Sequence, residues 1–242
     1  TSVNIKERLD FSCALFDATG ALIANAPHIP VHLGSMGDSI ARVIEVRGAG
    51  EDGQPRDGRG FRRGDAYVLN DPFRGGTHLP DITVIVPVFY GDDQSQPDAF
   101  VAARGHHSDI GGIAPGSMPP DSRTIEEEGV MIDNLLLVED GEFRTDAVRD
   151  VLASAKYPAR RPDRNLSDLR AQLAACTRGS ELLMQAAGAH GPKVVAAYMG
   201  HVLANAEESV RALLARLQDG AFSYAMDNGA SVQVTIAIDH DA

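Results

Sequence analysis

The chain has 242 residues, 43% of them hydrophobic and 23% charged, and a formal net charge of -12. That length suits one large domain, or one domain with a helical appendage, and the acidity argues against nucleic acid or an anionic membrane as a partner. No apolar run approaches the ~20 residues of a membrane span, no signal peptide is visible, and the two distant cysteines, Cys13 and Cys176, read as free thiols of a reducing, cytoplasmic setting.

The chain opens on Thr1 rather than Met and runs directly into a polar and apolar pattern, which suggests a piece of a longer polypeptide. Residues 11–25 predict a β-hairpin, because two apolar runs flank Asp17-Ala18-Thr19-Gly20. A loop over 27–35 and a short helix over about 36–46 follow, with Ile40, Val43 and Ile44 on one face. Residues 47–64 are rich in Gly, Asp and Arg, lack periodicity, and predict a surface loop. Strands are predicted at 65–69, at 82–90 and at 99–103, the second apolar enough to be buried on both faces. A polar turn at 91–98 joins the last two.

Residues 105–122 hold many Gly and Pro residues and predict a long loop of the kind that carries function. A strand over 130–139, a turn at Asp140-Gly141 and a helix over 145–154 come next. A basic linker at 157–165 leads into a helix capped by Asn165 or Ser167 and running to about Ala187. Gly188 to Gly191 breaks it, and Pro192 fits the first turn of another helix, whose stripe from Val194 to Leu217 follows 3/4 spacing. Residues 231–238 alternate as a strand without an evident partner, a further sign of truncation. The fold class is therefore α+β: a mixed β-sheet domain with long glycine-rich loops, then an antiparallel helical hairpin. The expected division is 1–156 for the mixed, metal-binding region and 157–242 for the hairpin and terminal strand, as parts of one larger domain.

Two glycine-flanked clusters bracket the apolar run at 82–90. The first is Asn70-Asp71-Pro72-Phe73-Arg74-Gly75-Gly76-Thr77-His78-Leu79-Pro80-Asp81, and the second is Arg104-Gly105-His106-His107-Ser108-Asp109-Ile110-Gly111-Gly112. Neutral imidazole together with carboxylate suits a divalent first-row ion. His78 and Asp81, three apart, converge if their loop turns. His106 and His107 are neighbours, so in extended backbone only one faces the ion and the other is free to act as acid or base. Asp10 and Asp109 are further carboxylate candidates. A single loop histidine more often satisfies backbone groups; the clustering is what favours metal. His28 and His32 flank a Pro-rich turn and are secondary candidates. His190 and His201 fall in the helical part and read as structural, and His240 is uninformative.

Other patterns carry less. Arg74-Gly75-Gly76-Thr77 could cradle an anion through backbone N–H groups, but lacks the Gly-Lys-Ser/Thr ending of a phosphate loop. Glu126-Glu127-Glu128 reads as a solvated face. Ser117 and Ser122 lack a Gly-x-Ser-x-Gly setting, and Cys13 reads as core rather than nucleophile.

Several of these segments resemble one family. The run from Asn4 to Asp17, His28-Ile-Pro-Val-His-Leu-Gly-Ser-Met36, the two clusters above, Pro115-Gly-Ser-Met-Pro-Pro-Asp121, Ile125-Glu-Glu-Glu-Gly129, Asn165-Leu-Ser-Asp-Leu-Arg-Ala-Gln172 and Tyr198-Met-Gly-His201 are similar to motifs of the hydantoinase B/oxoprolinase family. The resemblance implies a two-part enzyme. An A-type partner binds ATP and activates the substrate by phosphorylation, and the B part carries a divalent metal, Zn or Mn, and completes hydrolysis of a cyclic amide or a carboxylation. It places the metal ligands on His78, Asp81 and His106, with Asp10 as a fourth, and leaves His107 or Asp109 to assist proton transfer. A hetero-oligomeric hydrolase of hydantoin, 5-oxoproline or a lactam is the leading expectation. A ketone carboxylase subunit and a non-catalytic scaffold are the alternatives.

Overall fold

The computed structural model describes residues 1–26, 29–91 and 95–239. His28 and His240 lie outside the described residues, as does part of the turn expected at 91–98. The chain divides into two compact units, Thr1–Val195 and Ala196–Ala242.

The first unit is built on a seven-stranded sheet. Its strands in chain order are β1 (Phe11–Asp17), β2 (Leu22–Ala26), β3 (Ala66–Leu69), β4 (Asp81–Val88), β5 (Ala99–His106), β6 (Leu135–Glu139) and β7 (Glu142–Phe143). They lie in the spatial order β2-β1-β5-β4-β3-β6-β7. The sheet was expected to be mixed; each neighbouring pair is antiparallel. β4 and β5 are the central strands and are almost wholly buried, as the continuous apolar run at 82–90 predicts.

Alternation along β5 assigns the two faces. Phe100 and Ala102 join Phe16, Ile85, Phe89, Tyr67 and Leu69 in a core closed by Met36, Ile40 and Val43 of α2 (Pro30–Arg47). The opposite face carries α4 (Pro162–His190), which buries Leu166, Leu169, Cys176 and Leu183. Each fully buried apolar side chain of this kind contributes roughly 1.5–3 kcal/mol. α4 sits so close to the sheet that a Cβ on Gly179 would lie 2.8 Å from a Val101 methyl carbon. α4 packs on β4 and β5 and belongs to the first unit.

Two helices begin earlier than expected, for one reason. α2 starts at Pro30 rather than near Met36, and α4 at Pro162 rather than after a cap at Asn165 or Ser167. In both, proline occupies the first turn, where its missing N–H is no loss and its fixed φ suits a helix. The expected loop at 27–35 therefore becomes helix from residue 30, and His32 becomes a helical, buried residue. Elsewhere β5 runs three residues past Ala103 to His106, and β6 begins at Leu135 instead of Val130. α3 (Thr145–Ser154) lies where the sequence put it. The short helix α1 (Val3–Lys6) was not anticipated. The 47–64 loop is tied down by Arg47 on Asp57 at 2.7 Å, by Arg59 on Asp65, and by an Ala49 to Pro55 bridge.

α5 (Pro192–Leu214) follows Gly191, whose φ of +90° ends α4. Val194, Tyr198, Val202, Val210 and Leu213 of the 3/4-spaced stripe are exposed, whereas Met199 is buried. The second unit also holds an unexpected strand, β8 (Gly220–Ala225), paired with β9 (Ser231–Ile236) around Asn228-Gly229. The terminal strand thus has a partner. The register sets Phe222 opposite Val234 and Tyr224 opposite Val232, so the large apolar side chains share one face of the ribbon.

Candidate metal centre

The backbone register of the central strands brings the site together. Asp81 opens β4 and His106 closes β5, and the two are directly opposite. His107 N–H donates to the Pro80 carbonyl at 2.8 Å, so Asp81 and His106 form the adjacent pair without mutual backbone bonds. In such pairs side chains lie closer together. His78 enters through a tight turn, in which the Asp81 N–H donates to the His78 carbonyl at 3.0 Å.

The Asp81 carboxylate is the hub. Its Oδ1 lies 3.1 Å from His78 Nε2 and 3.2 Å from His106 Nδ1. Its Oδ2 accepts from Thr77 Oγ1 at 3.0 Å and from His32 Nε2 at 3.2 Å. Burial acts to raise the Asp81 carboxyl, but the contacts to His106, His32 and His78 outweigh it and hold the group well below the usual carboxylate range. The same contact to Asp81 holds His78 above its ordinary 6.5 against the effect of its own burial.

Ligand atoms of His78, Asp81 and His106 all lie within 4.8 Å of one another. Bonds of about 2.0–2.2 Å to imidazole nitrogen and carboxylate oxygen place neighbouring ligands about 3–3.5 Å apart, which matches both contacts to Oδ1. The donor set, two imidazoles and one carboxylate, fits a divalent ion with positions left for water or substrate. Asp10, the fourth residue expected, is on the flank. Its Oδ2 is 3.9 Å from His106 Nδ1, and its carbonyl accepts the His106 N–H at 3.0 Å. Leu9, at φ +54°, turns the chain so that Asp10 reaches this position. Such a backbone costs of order 1–3 kcal/mol and persists where neighbours enforce it.

The His78 loop is braced from below. Asn70 is buried and bonds the Leu79 and Val130 carbonyls at 2.7 and 3.0 Å and the Ile132 N–H at 2.6 Å. Gly76 fits because a Cβ there would lie 2.5 Å from the Asn70 carbonyl oxygen. The Gly75 carbonyl accepts from Ser39 Oγ and, at 3.4 Å, from Arg104 Nη2. The Arg74 and Gly76 N–H groups both donate to the Asp71 carbonyl, at 3.1 and 2.7 Å, so these two donors of the expected anion cradle are turned to the loop itself.

Arg104 is fully buried on the α2 face. It bonds Thr83 Oγ1 at 2.8 Å, Ser35 Oγ at 2.5 Å and Ser39 Oγ at 2.7 Å. Burial lowers its pKa to about 10, with the charges of Asp81 and Asp38 acting in the opposite direction. Sequence reasoning passed over Arg104, Ser12 and Thr77. Only the run Arg104 to Gly112 hinted at the arginine.

His107 and Asp109, expected to assist proton transfer, are placed elsewhere. Alternation turns His107 to the α4 face, where it is fully buried. Its Nε2 contacts Gln172 Oε1 at 3.0 Å and its Nδ1 contacts Asn165 Nδ2 at 3.0 Å. Gln172 Nε2 already donates to the Ile82 and Ala103 carbonyls, so Oε1 must accept and His107 carries its hydrogen on Nε2. Both ring nitrogens are occupied, and burial pushes the imidazole pKa down. His107→Ala is expected to strand two buried amide groups at roughly 1–3 kcal/mol each, which urea unfolding would register. An unchanged midpoint would show that those amides re-pair.

Asp109 is a loop clamp. Its Oδ1 accepts from the Gly111 and Arg160 N–H groups at 3.0 and 3.1 Å, and Arg160 Nη1 reaches Oδ2 at 2.9 Å. Burial alone would raise this carboxyl, but those donors and Gly116 outweigh it and hold it below its ordinary 3.8. A depressed carboxyl contributes stability that is complete above the unfolded value and is lost as pH falls. Asp109→Asn should therefore lower stability at neutral pH and flatten its decline between about pH 5 and pH 3. Identical acid limbs for the variant and the parent would show that the clamp does not couple to folding.

Among the remaining histidines, His201 meets the Tyr198 ring edge-on at 5.8 Å, and His190 ends α4.

The chain matches the family model described as hydantoinase B/oxoprolinase across residues 1–242. It is 42% identical to the 5-oxoprolinase of Dictyostelium discoideum over 99% of its own length, but spans only 18% of that protein. A crystal structure of ATP-dependent caprolactamase from Pseudomonas jessenii superposes with a TM-score of 0.77 at 30% identity, covering 95% of this chain and 38% of the other. An acetone carboxylase structure shares the fold at a TM-score of 0.77 and 18% identity, covering 97% and 31% of the two chains. With a match that extends over every residue, the chain belongs to the hydantoinase B/oxoprolinase family.

Proposed function

We propose that this chain is the metal-bearing part of an ATP-dependent cyclic-amide hydrolase that works with an ATP-binding A-type partner. The observation that carries the reading is the convergence of His78, Asp81 and His106 within 4.8 Å. The names of the similar proteins support the reaction class, since 5-oxoprolinase and ATP-dependent caprolactamase both act on cyclic amides. The substrate class is accordingly hydantoin, 5-oxoproline or a lactam.

His78, Asp81 and His106 would hold a divalent ion, Zn or Mn, with Asp10 beside them. Such an ion supplies Lewis acidity towards a carbonyl and lowers the pKa of water towards ~7. The protein's own part is positional. Asp81, nearly buried, fixes the strand side of the site, and His78, with its side chain 36% exposed, lines the approach. His107 and Asp109 hold the 106–117 loop in place and transfer no proton in this scheme. ATP enters through the partner, because the sequence contains no phosphate-loop signature. The exposed α5 stripe would be covered in a hetero-oligomer. The setting would be the cytoplasm, consistent with the free thiols Cys13 and Cys176. Among the described residues no helix is long and apolar enough to cross a membrane.

The experiment is elemental analysis of the purified protein, followed by assay with an A-type partner. Stoichiometric metal and ATP-driven ring opening without bicarbonate are expected. A requirement for bicarbonate would favour the carboxylase reading, which the shared fold with acetone carboxylase recommends. A metal-free, inactive complex would leave only the scaffold. The chain assayed alone should hydrolyse no ATP.

A further inference from the structure

We infer that His32 is a positioning residue that orients Asp81, through a Ser12–His32–Asp81 chain, so that a single carboxylate oxygen faces the ion. The inference rests on the metal reading above and deepens it.

His32 projects from the first turn of α2 onto the sheet and is 1% exposed. Its Nε2 lies 3.2 Å from Asp81 Oδ2, and its Nδ1 lies 3.0 Å from Ser12 Oγ on β1. A carboxylate only accepts, so Nε2 carries the hydrogen; Nδ1 then accepts from the Ser12 hydroxyl, which is itself fully buried. Thr77 Oγ1 is the second donor to Oδ2. His78 and His106 both address the other oxygen, Oδ1.

The two oxygens of Asp81 are thus divided between two tasks. Oδ2 is saturated by protein donors from α2 and the His78 loop, and Oδ1 alone points at the cluster. A carboxylate held in this way would offer an ion one oxygen, since turning Oδ2 towards the cluster would break its bonds to His32 and Thr77. His32 is not a ligand itself, because its Nε2 faces Oδ2 and its other nitrogen faces Ser12. Partners that orient a metal ligand in this manner typically change metal affinity by 10–100-fold. The arrangement also explains why a helix start at Pro30 matters for the site: a start near Met36 would leave His32 in a loop, without a fixed bearing on Asp81.

The test is competitive titration of the purified protein with Zn(II) and a chelator, and Co(II) absorption spectra of the loaded forms. His32→Leu should weaken binding by about 10–100-fold and change the Co(II) spectrum, as Asp81 becomes free to engage through both oxygens. His32→Gln, whose amide can still donate to Oδ2, should recover most of the affinity and the parent spectrum. Ser12→Ala keeps the ring in place and should cost a smaller loss with unchanged circular dichroism, so the inference stands to be judged even where His32→Leu fails to fold. Parent-like affinity and spectrum in both His32→Leu and Ser12→Ala would overturn the positioning role while leaving the metal reading intact. A parent protein that takes up neither ion would overturn the metal reading and this inference with it.

Discussion

Arg104→Met is expected to destabilise the protein more than any other single change on the sheet. The guanidinium is fully buried and ties Thr83 on β4 to Ser35 and Ser39 on α2 and to the Gly75 carbonyl. Methionine fills most of the volume but donates nothing. Each acceptor left without a partner costs roughly 1–3 kcal/mol, partly offset where Ser39 keeps its bond to Gly75. A net loss of several kcal/mol corresponds to a fall in melting temperature of about 2–4 °C per kcal/mol for a chain of this size. Arg104→Lys should lie between the two, because a single ammonium cannot span acceptors on three segments. Calorimetry on the three proteins decides the matter. A melting temperature for Arg104→Met within a degree or so of the parent would mean that water replaces the guanidinium.

Asp81→Asn is expected to remove metal binding while leaving the sheet folded. The substitution takes away the one charged ligand and the acceptor shared by His78 and His106. It also turns an amide N–H towards a neighbour that already donates, His32 or Thr77 on one side or the histidine pair on the other. A single mismatched donor of that kind costs about 1–3 kcal/mol, and the metal affinity should fall by more than the 10–100-fold lost when only an orienting partner goes. His106→Ala should lose metal likewise, whereas His107→Ala should keep it and lose stability instead. Metal content by elemental analysis, paired with melting temperature, separates the two histidines. Full occupancy in Asp81→Asn would remove the carboxylate from the centre.

The chemistry of this chain was more legible than its boundaries. His78, Asp81 and the His106-His107 pair stand out because glycine-rich loops rarely spend several imidazoles and carboxylates on backbone groups alone. Choosing between His106 and His107 from residues needs the phase of β5. That phase is fixed only when the strand is seen to run to His106, opposite Asp81. His32 was hidden by Pro30: proline reads as a breaker, yet in a first turn it starts a helix, and the same misreading moved the start of α4 from Pro162. Pro192 was read correctly because a glycine, Gly191, ends α4 immediately before it. β8 was missed because Gly220 to Ala225 holds only two large apolar residues, Phe222 and Tyr224, and their meaning comes from the partners across the ribbon. Arg104 was invisible for a different reason. Nothing local marks a strand arginine as buried, since its acceptors come from residues 21 to 69 positions away along the chain.

The opposition of Asp81 and His106 at the ends of two paired strands has a consequence for how relatives are found. Their mutual position is set by the ladder between β4 and β5, not by the number of residues joining Val88 to Ala99. Residues inserted or deleted in that far connection leave the two side chains where they are, as long as no strand slips by one position. A slip of β5 by one against β4 would turn His106 to the face opposite Asp81. The distance between the two motifs along the chain is therefore free to drift during evolution while the pairing is not, and a pattern search that fixes the gap between Asp81 and His106 would discard true relatives that an alignment of the strands would keep.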